Sequence, residues 1–240
     1  MTRTVLVELR AATGAIHRRL HRHPGLAAAA RGAIGLDDYR QLLMRLYGFH
    51  RAFENVSASA RGRLRLAAGS RADLIALDLA ALGTLPADLS RLPLCTLRRP
   101  SGETAALGAL YVVEGSALGG ALIAEALAPV VGEARRFFLG CPKRRDSWPT
   151  LLARIETLTP GAQRTIAVAA AVETFQIFEE WMQDWRAAPN CVAGASIETK
   201  RETRAVHGFL ESARFPFCRV CDSRCWLGGR PASDGATSFQ

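Results

Sequence analysis

Leu110-Tyr111-Val112-Val113-Glu114-Gly115-Ser116-Ala117-Leu118-Gly119-Gly120-Ala121 lies inside a long apolar run of helical character, and its three glycines demand a reason. A glycine in a helix interior costs about 0.5–1 kcal/mol relative to alanine, so the three forfeit roughly 2–3 kcal/mol of local stability. Gly115 and Gly119 are four apart and Gly120 adjoins them. On a helix they clear one face, which lets a flat object approach the backbone, and they permit a kink. Close helix–helix packing or simple bending also accounts for any glycine pair, so the neighbours must decide.

Working outward, the spacing predicts a fourth helix from about Ser101 to Leu127, with Pro129 beyond its end. Before it, Glu8 to about His23 carries Leu9, Ala12, Ile16 and Leu20 on one face, and Pro24-Gly25 reads as its terminator. Asp37 or Asp38 caps a second helix in which Tyr39, Leu42, Leu43, Leu46, Phe49, Phe53 and Val56 recur at helical spacing. Ser70 with Asp73 forms a capping-box pattern ahead of Leu74, Leu77 and Ala81, with Gly83 as the stop before a proline-containing loop through Pro100.

After the glycine-rich helix, Ser147 and Pro149 open a short helix through Leu158, and Thr159-Pro160 starts a long one. That last helix places Ile166, Val172, Phe175, Phe178, Trp181, Met182 and Trp185 along its length and ends by Pro189. No hairpin signal occurs. Residues 1–189 therefore read as one all-α domain of packed helices, and residues 190–240 as a largely disordered tail.

The chain is 49% hydrophobic and 22% charged, the balance of a globular protein. Met1 to Arg10 contains no apolar run of signal length, and no stretch offers about 18 uninterrupted apolar residues, so the expectation is a cytoplasmic protein without a membrane segment. The net charge of +9 is concentrated in residues 1–65, which hold 12 Arg against 4 Asp and Glu. Those arginines lie on amphipathic helices with no reading module, so nucleic acid is not expected as a partner. Anionic cofactor groups or an acidic redox protein would use the same field, and solvated helix faces account for it as well. Among six cysteines, Cys218, Cys221 and Cys225 form C-x2-C-x3-C without a second knuckle, and His207 is the one nitrogen donor near them, so reduced thiols are expected.

Hydrolase chemistry finds no support, because Gly115-Ser116-Ala117-Leu118-Gly119 lacks the preceding strand that a nucleophile elbow needs. Three of the five histidines, His17, His21 and His23, crowd the first helix. His17 and His21 are four apart and could meet one metal, while a single imidazole facing a planar cofactor explains His17 equally. Taken alone, His17 reads more readily as a core-edge or surface histidine than as a ligand. Arg10 and Thr13 lie seven and four residues before it on the same stripe. An imidazole with a guanidinium two turns away describes one wall of a haem site, where arginine meets a propionate, and a glycine-cleared helix would be the other.

Three motifs resemble those of bacterial, biliverdin-producing haem oxygenases, over roughly residues 6–187. Leu9-Arg10-Ala11-Ala12-Thr13-Gly14-Ala15-Ile16-His17-Arg18-Arg19-Leu20 resembles the proximal helix. Tyr111 to Gly120 resembles the distal helix of the phytochrome-associated type, and Glu173 to Trp181 the last core helix. The resemblance implies a helical bundle with haem, both substrate and cofactor, between a proximal and a kinked distal helix. It further implies His17 as iron ligand, with Arg10, Thr13, Tyr111 and Phe178 around the cofactor and Gly115, Ser116, Gly119 and Gly120 on the O2 side. Ser116 stands where animal-type enzymes carry an aspartate, and His21 where they carry a carboxylate.

The expected reaction is cleavage of haem at a meso carbon to biliverdin, carbon monoxide and ferrous iron. An external electron donor such as ferredoxin or flavodoxin is implied, and a bacteriophytochrome is a candidate recipient of the product. A non-enzymatic haem-binding or haem-delivery protein on the same scaffold is the alternative. A helical-scaffold enzyme of thiamine salvage is disfavoured, since neither the first helix nor the distal stretch has the cysteine it needs.

Overall fold

Thr4 begins the described chain and caps its first helix, its hydroxyl oxygen accepting from the Val7 amide. The structure is a computed structural model and describes residues 4–66, 69–140 and 147–186. The expected tail, with Cys218, Cys221 and Cys225, and the proposed boundary at residue 189 lie outside the described residues, as does Cys141. Helix α1 runs Val5–His21 and buries Val5, Leu9, Thr13, Ile16 and Leu20. It starts a turn earlier than the spacing suggested because Thr4 supplies a cap.

Pro24-Gly25 does not merely end α1; it opens another helix. His23 caps α2, Pro24–Ala30, through Nδ1 accepting from the Leu26 amide, and Pro24 occupies the first turn, where a missing N–H costs nothing. Helix α3, Leu36–Arg63, begins at Gly35 rather than at an aspartate cap, with Asp37 and Asp38 placed in the first turn where the helix dipole favours them. Ser70 caps α4, Arg71–Ala81, as the sequence predicts. The loop that follows contains a short α5, Pro86–Leu89.

The expected fourth helix is two helices, α6 Glu103–Gly115 and α7 Gly120–Val131. Pro129 lies inside α7, not beyond it. By length and hydropathy alone Glu103–Val131 is apolar enough to cross a bilayer; in this fold its α6 half is buried among other helices. Helix α8, Arg136–Leu139, has no periodicity of its own; the buried Asp78 carboxylate of α4 accepts from the Arg136 and Phe137 amides, both at 2.9 Å. That contact joins residues 58 and 59 positions apart, so local sequence cannot announce it. Helix α9 spans Ser147–Glu156 and α10 Ala162–Gln183, the latter starting after Gly161 rather than at Thr159-Pro160.

The described residues are all-helical. Helix α6 lies against α10 so closely that a methyl on Gly108 would run into the Ala167 carbonyl oxygen. Tyr39, Leu42, Leu43 and Leu46 of α3 meet Ile75, Leu79, Leu127, Phe137 and Met182 in one apolar cluster. At its edge the buried Tyr39 hydroxyl donates to the Ala134 carbonyl at 2.7 Å. Arg19 forks onto both carboxylate oxygens of Glu179 at 2.7 Å, fixing α1 against α10. These packings set the register of the two helices that carry the site.

Candidate functional site

Helix geometry puts residues four apart on one side, so the burial of Leu9, Thr13, Ile16 and Leu20 leaves His17 at the margin between core and surface. Its ring is partly buried, 6.1 Å from the Phe175 ring of α10. The Nε2 atoms of His17 and His21 are 3.2 Å apart. Burial first, then His21 and Arg18, lowers the His17 pKa from 6.5 to about 4. Burial also lowers that of His21. At neutral pH both imidazoles are uncharged, the form in which a ring nitrogen binds a metal.

The same shift makes folding pH-dependent. The folded pKa of His17 lies below the unfolded value, so its contribution to stability is complete above about pH 6.5 and is lost as pH falls through about 4. Urea midpoints of the haem-free protein between pH 7.5 and 4 should decline in that window, and His17→Gln should flatten the decline. An equally steep fall in the variant would assign the effect to other groups.

His23 is a structural residue: Nδ1 caps α2 and Nε2 meets the Met182 carbonyl at 2.9 Å. His50 is buried beside Phe49 and Phe137. The Arg10 side chain reaches the Tyr111 hydroxyl, whose pKa burial raises and Arg10 lowers, so α1 and α6 are joined here. Tyr111 is fully buried and its ring lies 5.7 Å from that of Trp148. Thr13 is buried with its hydroxyl donating to the Leu9 carbonyl of its own helix at 2.8 Å. Phe178 packs on Phe49, ring centres 4.8 Å apart, while Phe175, one turn earlier, is the aromatic beside His17. Sequence spacing alone could not separate those two phenylalanines.

The glycine-rich stretch breaks between Gly115 and Gly120, where Ala117, Leu118 and Gly120 donate to carbonyls three residues back. That tightened turn is the kink the glycines permit. Gly120 is buried, and a methyl there would strike the Phe138 carbonyl oxygen of α8; it is a packing glycine, as the bland reading of such a pair holds. Gly119 differs. Its backbone, φ −86° and ψ −4°, suits any residue, and apart from its chain neighbours and the adjoining helix backbone no atom of the described residues lies within 4 Å of where its Cβ would be. Neither conformation nor packing requires glycine at 119, so the absent side chain leaves open space.

Ser116 ends α6, its hydroxyl donating to the Val113 carbonyl at 2.8 Å. Arg71, buried at the start of α4, donates to the same carbonyl at 3.0 Å and to Ser116 Oγ at 3.3 Å, with its guanidinium over the Phe137 ring. One residue before the break, the buried Glu114 pairs with Arg61 of α3. Glu54 accepts from the Arg71 and Ala72 amides and from the Ser70 hydroxyl, fixing the end of α4 from which Arg71 reaches. Sequence reading missed Arg61 and Arg71. The Ser70 cap was the available signal, since it puts Arg71 at the first helical position.

A family model described as "Heme oxygenase" matches residues 3–184. No curated protein matches the chain by sequence. Among solved structures, heme oxygenase from Leptospira interrogans is similar at 15% identity and TM-score 0.60, covering 76% of this chain and all of that one. The NO- and CO-bound heme oxygenase of Neisseria meningitidis is similar at 20% identity and TM-score 0.59, over 80% of this chain and 96% of that one. Heme oxygenase-1 from the cyanobacterium Synechocystis sp. PCC6803, solved in complex with heme, is similar at 14% identity and TM-score 0.53, over 77% and 93%.

Proposed function

From the premise that this chain belongs to the haem oxygenase family, and so is a haem-degrading enzyme, we propose that it is of the bacterial phytochrome-associated type. It converts haem, with O2 and electrons from an external donor, to biliverdin, carbon monoxide and ferrous iron. The observation that carries this reading is an uncharged, partly buried imidazole on α1, His17. Haem fits the residues present: His17 offers an unprotonated nitrogen, and Gly119 leaves room for a planar group against backbone. Bound haem supplies the iron that activates oxygen and the meso carbon that is oxidised.

The protein's own part is to hold and to exclude. His17 Nε2 would hold the haem iron. Tyr111 and Arg10 tie α1 to α6 near the N-terminal half of the proximal helix. Ser116 Oγ can accept a proton and pass one on, held at the helix break by Arg71, and its hydroxyl remains neutral where animal-type relatives carry an aspartate. The arginine-rich first quarter suits an acidic ferredoxin or flavodoxin. A bacteriophytochrome would take up the bilin, and the reaction would be cytoplasmic.

Aerobic incubation of the haem-loaded protein with a reduced ferredoxin, followed by chromatography of the pigment, tests the reading. One biliverdin isomer and stoichiometric carbon monoxide are expected. Haem recovered intact, or a product that retains the macrocycle, overturns it.

A further inference from the structure

His17 and His21 stand one turn apart on α1 with Nε2 atoms 3.2 Å from each other and rings inclined at 79°. Two neutral imidazoles in that arrangement share one proton. Two Zn–N bonds of about 2.0–2.1 Å at a tetrahedral angle hold their nitrogens about 3.3 Å apart, so the pair already has the bite of a chelate. An ion that takes the place of the shared proton needs no movement of the helix; the donor ring carries its proton on Nδ1 instead, and none is lost.

We propose that the haem-free chain binds one zinc ion between His17 Nε2 and His21 Nε2. His21 is exposed, which gives the ion access and leaves its remaining positions to water. Among the described residues no group of three or more His, Cys, Asp or Glu is placed to hold a metal, so the affinity falls well short of a closed four-ligand site. Arg18 follows His17, and Arg19 is engaged by Glu179. The local positive field opposes the ion and keeps its binding reversible.

A second consequence rests on the axial role proposed for His17. A ring nitrogen has one lone pair, so zinc and haem iron exclude one another at Nε2, and zinc holds back haem loading. His21, one turn from His17, is what gives this chain that property.

Equilibrium dialysis of the full haem-free chain against zinc is the test, with His21→Gln and His17→Gln in parallel and circular dichroism to verify folding. The wild type should take up one equivalent more than either variant; thiols elsewhere contribute alike to all three. Equal uptake by wild type and His21→Gln overturns the proposal, as does loss in one variant alone. Zinc at about ten times its dissociation constant should raise the apparent Kd of haem about tenfold in the wild type and leave that of His21→Gln unchanged. If the extra equivalent binds while haem affinity stays put, the chelate stands and the axial assignment of His17 fails instead.

Discussion

Replacing His17 with alanine should abolish the histidine-ligated ferric haem spectrum and reduce biliverdin formation to background. The reason lies in what the other imidazoles are doing. His23 is committed through both nitrogens, one to the cap of α2 and one to the Met182 carbonyl. His50 is buried against Phe49 and Phe137. Among the described residues His21 alone is within reach, but it lies a full turn further along α1, about 6 Å of rise, so iron held there would sit displaced relative to the Gly115–Gly120 break. Added imidazole should restore the spectrum of His17→Ala by filling the vacated space. An unchanged spectrum in the variant without imidazole would transfer the axial role to His21.

The second large effect separates two adjacent glycines that the sequence treats alike. Gly119→Ala adds a methyl to near-helical backbone with open space around it, so stability should be unchanged or rise by up to about 1 kcal/mol while turnover falls, because the methyl occupies the cleared side. Gly120→Ala drives a methyl into the Phe138 carbonyl. Overpacking of that kind costs about 1–3 kcal/mol or more, a fall of several degrees in thermal midpoint for a chain of this size. Thermal midpoints and bilin yields of both variants decide the matter. A Gly119→Ala protein with full activity and an unchanged product would make the stretch a packing and bending device throughout.

That contrast marks the limit of what the sequence could disclose. Helical periodicity located α3, α4, α9 and α10, since amphipathic burial is a local property. It ran α6 and α7 together because the three tightened turns at the break leave the apolar pattern intact. Helix α8 was invisible because its N-terminal amides are satisfied by Asp78, far away in the chain. In the site, the spacing of Arg10, Thr13 and His17 was legible, but the partners of Arg10 and Thr13 were not, since Tyr111 and the Leu9 carbonyl compete for the same polar groups that a cofactor would use. The arginines that fix the distal break come from α3 and α4, two helices that hydrophobic spacing alone assigns to the core.

A crystal structure of the ferric haem complex is the most direct measurement. Iron should be bonded to His17 Nε2, with the opposite face of the macrocycle against the backbone at Gly119 and Ser116 still held by Arg71. Iron bonded to another residue, or a macrocycle remote from Gly119, would contradict the account.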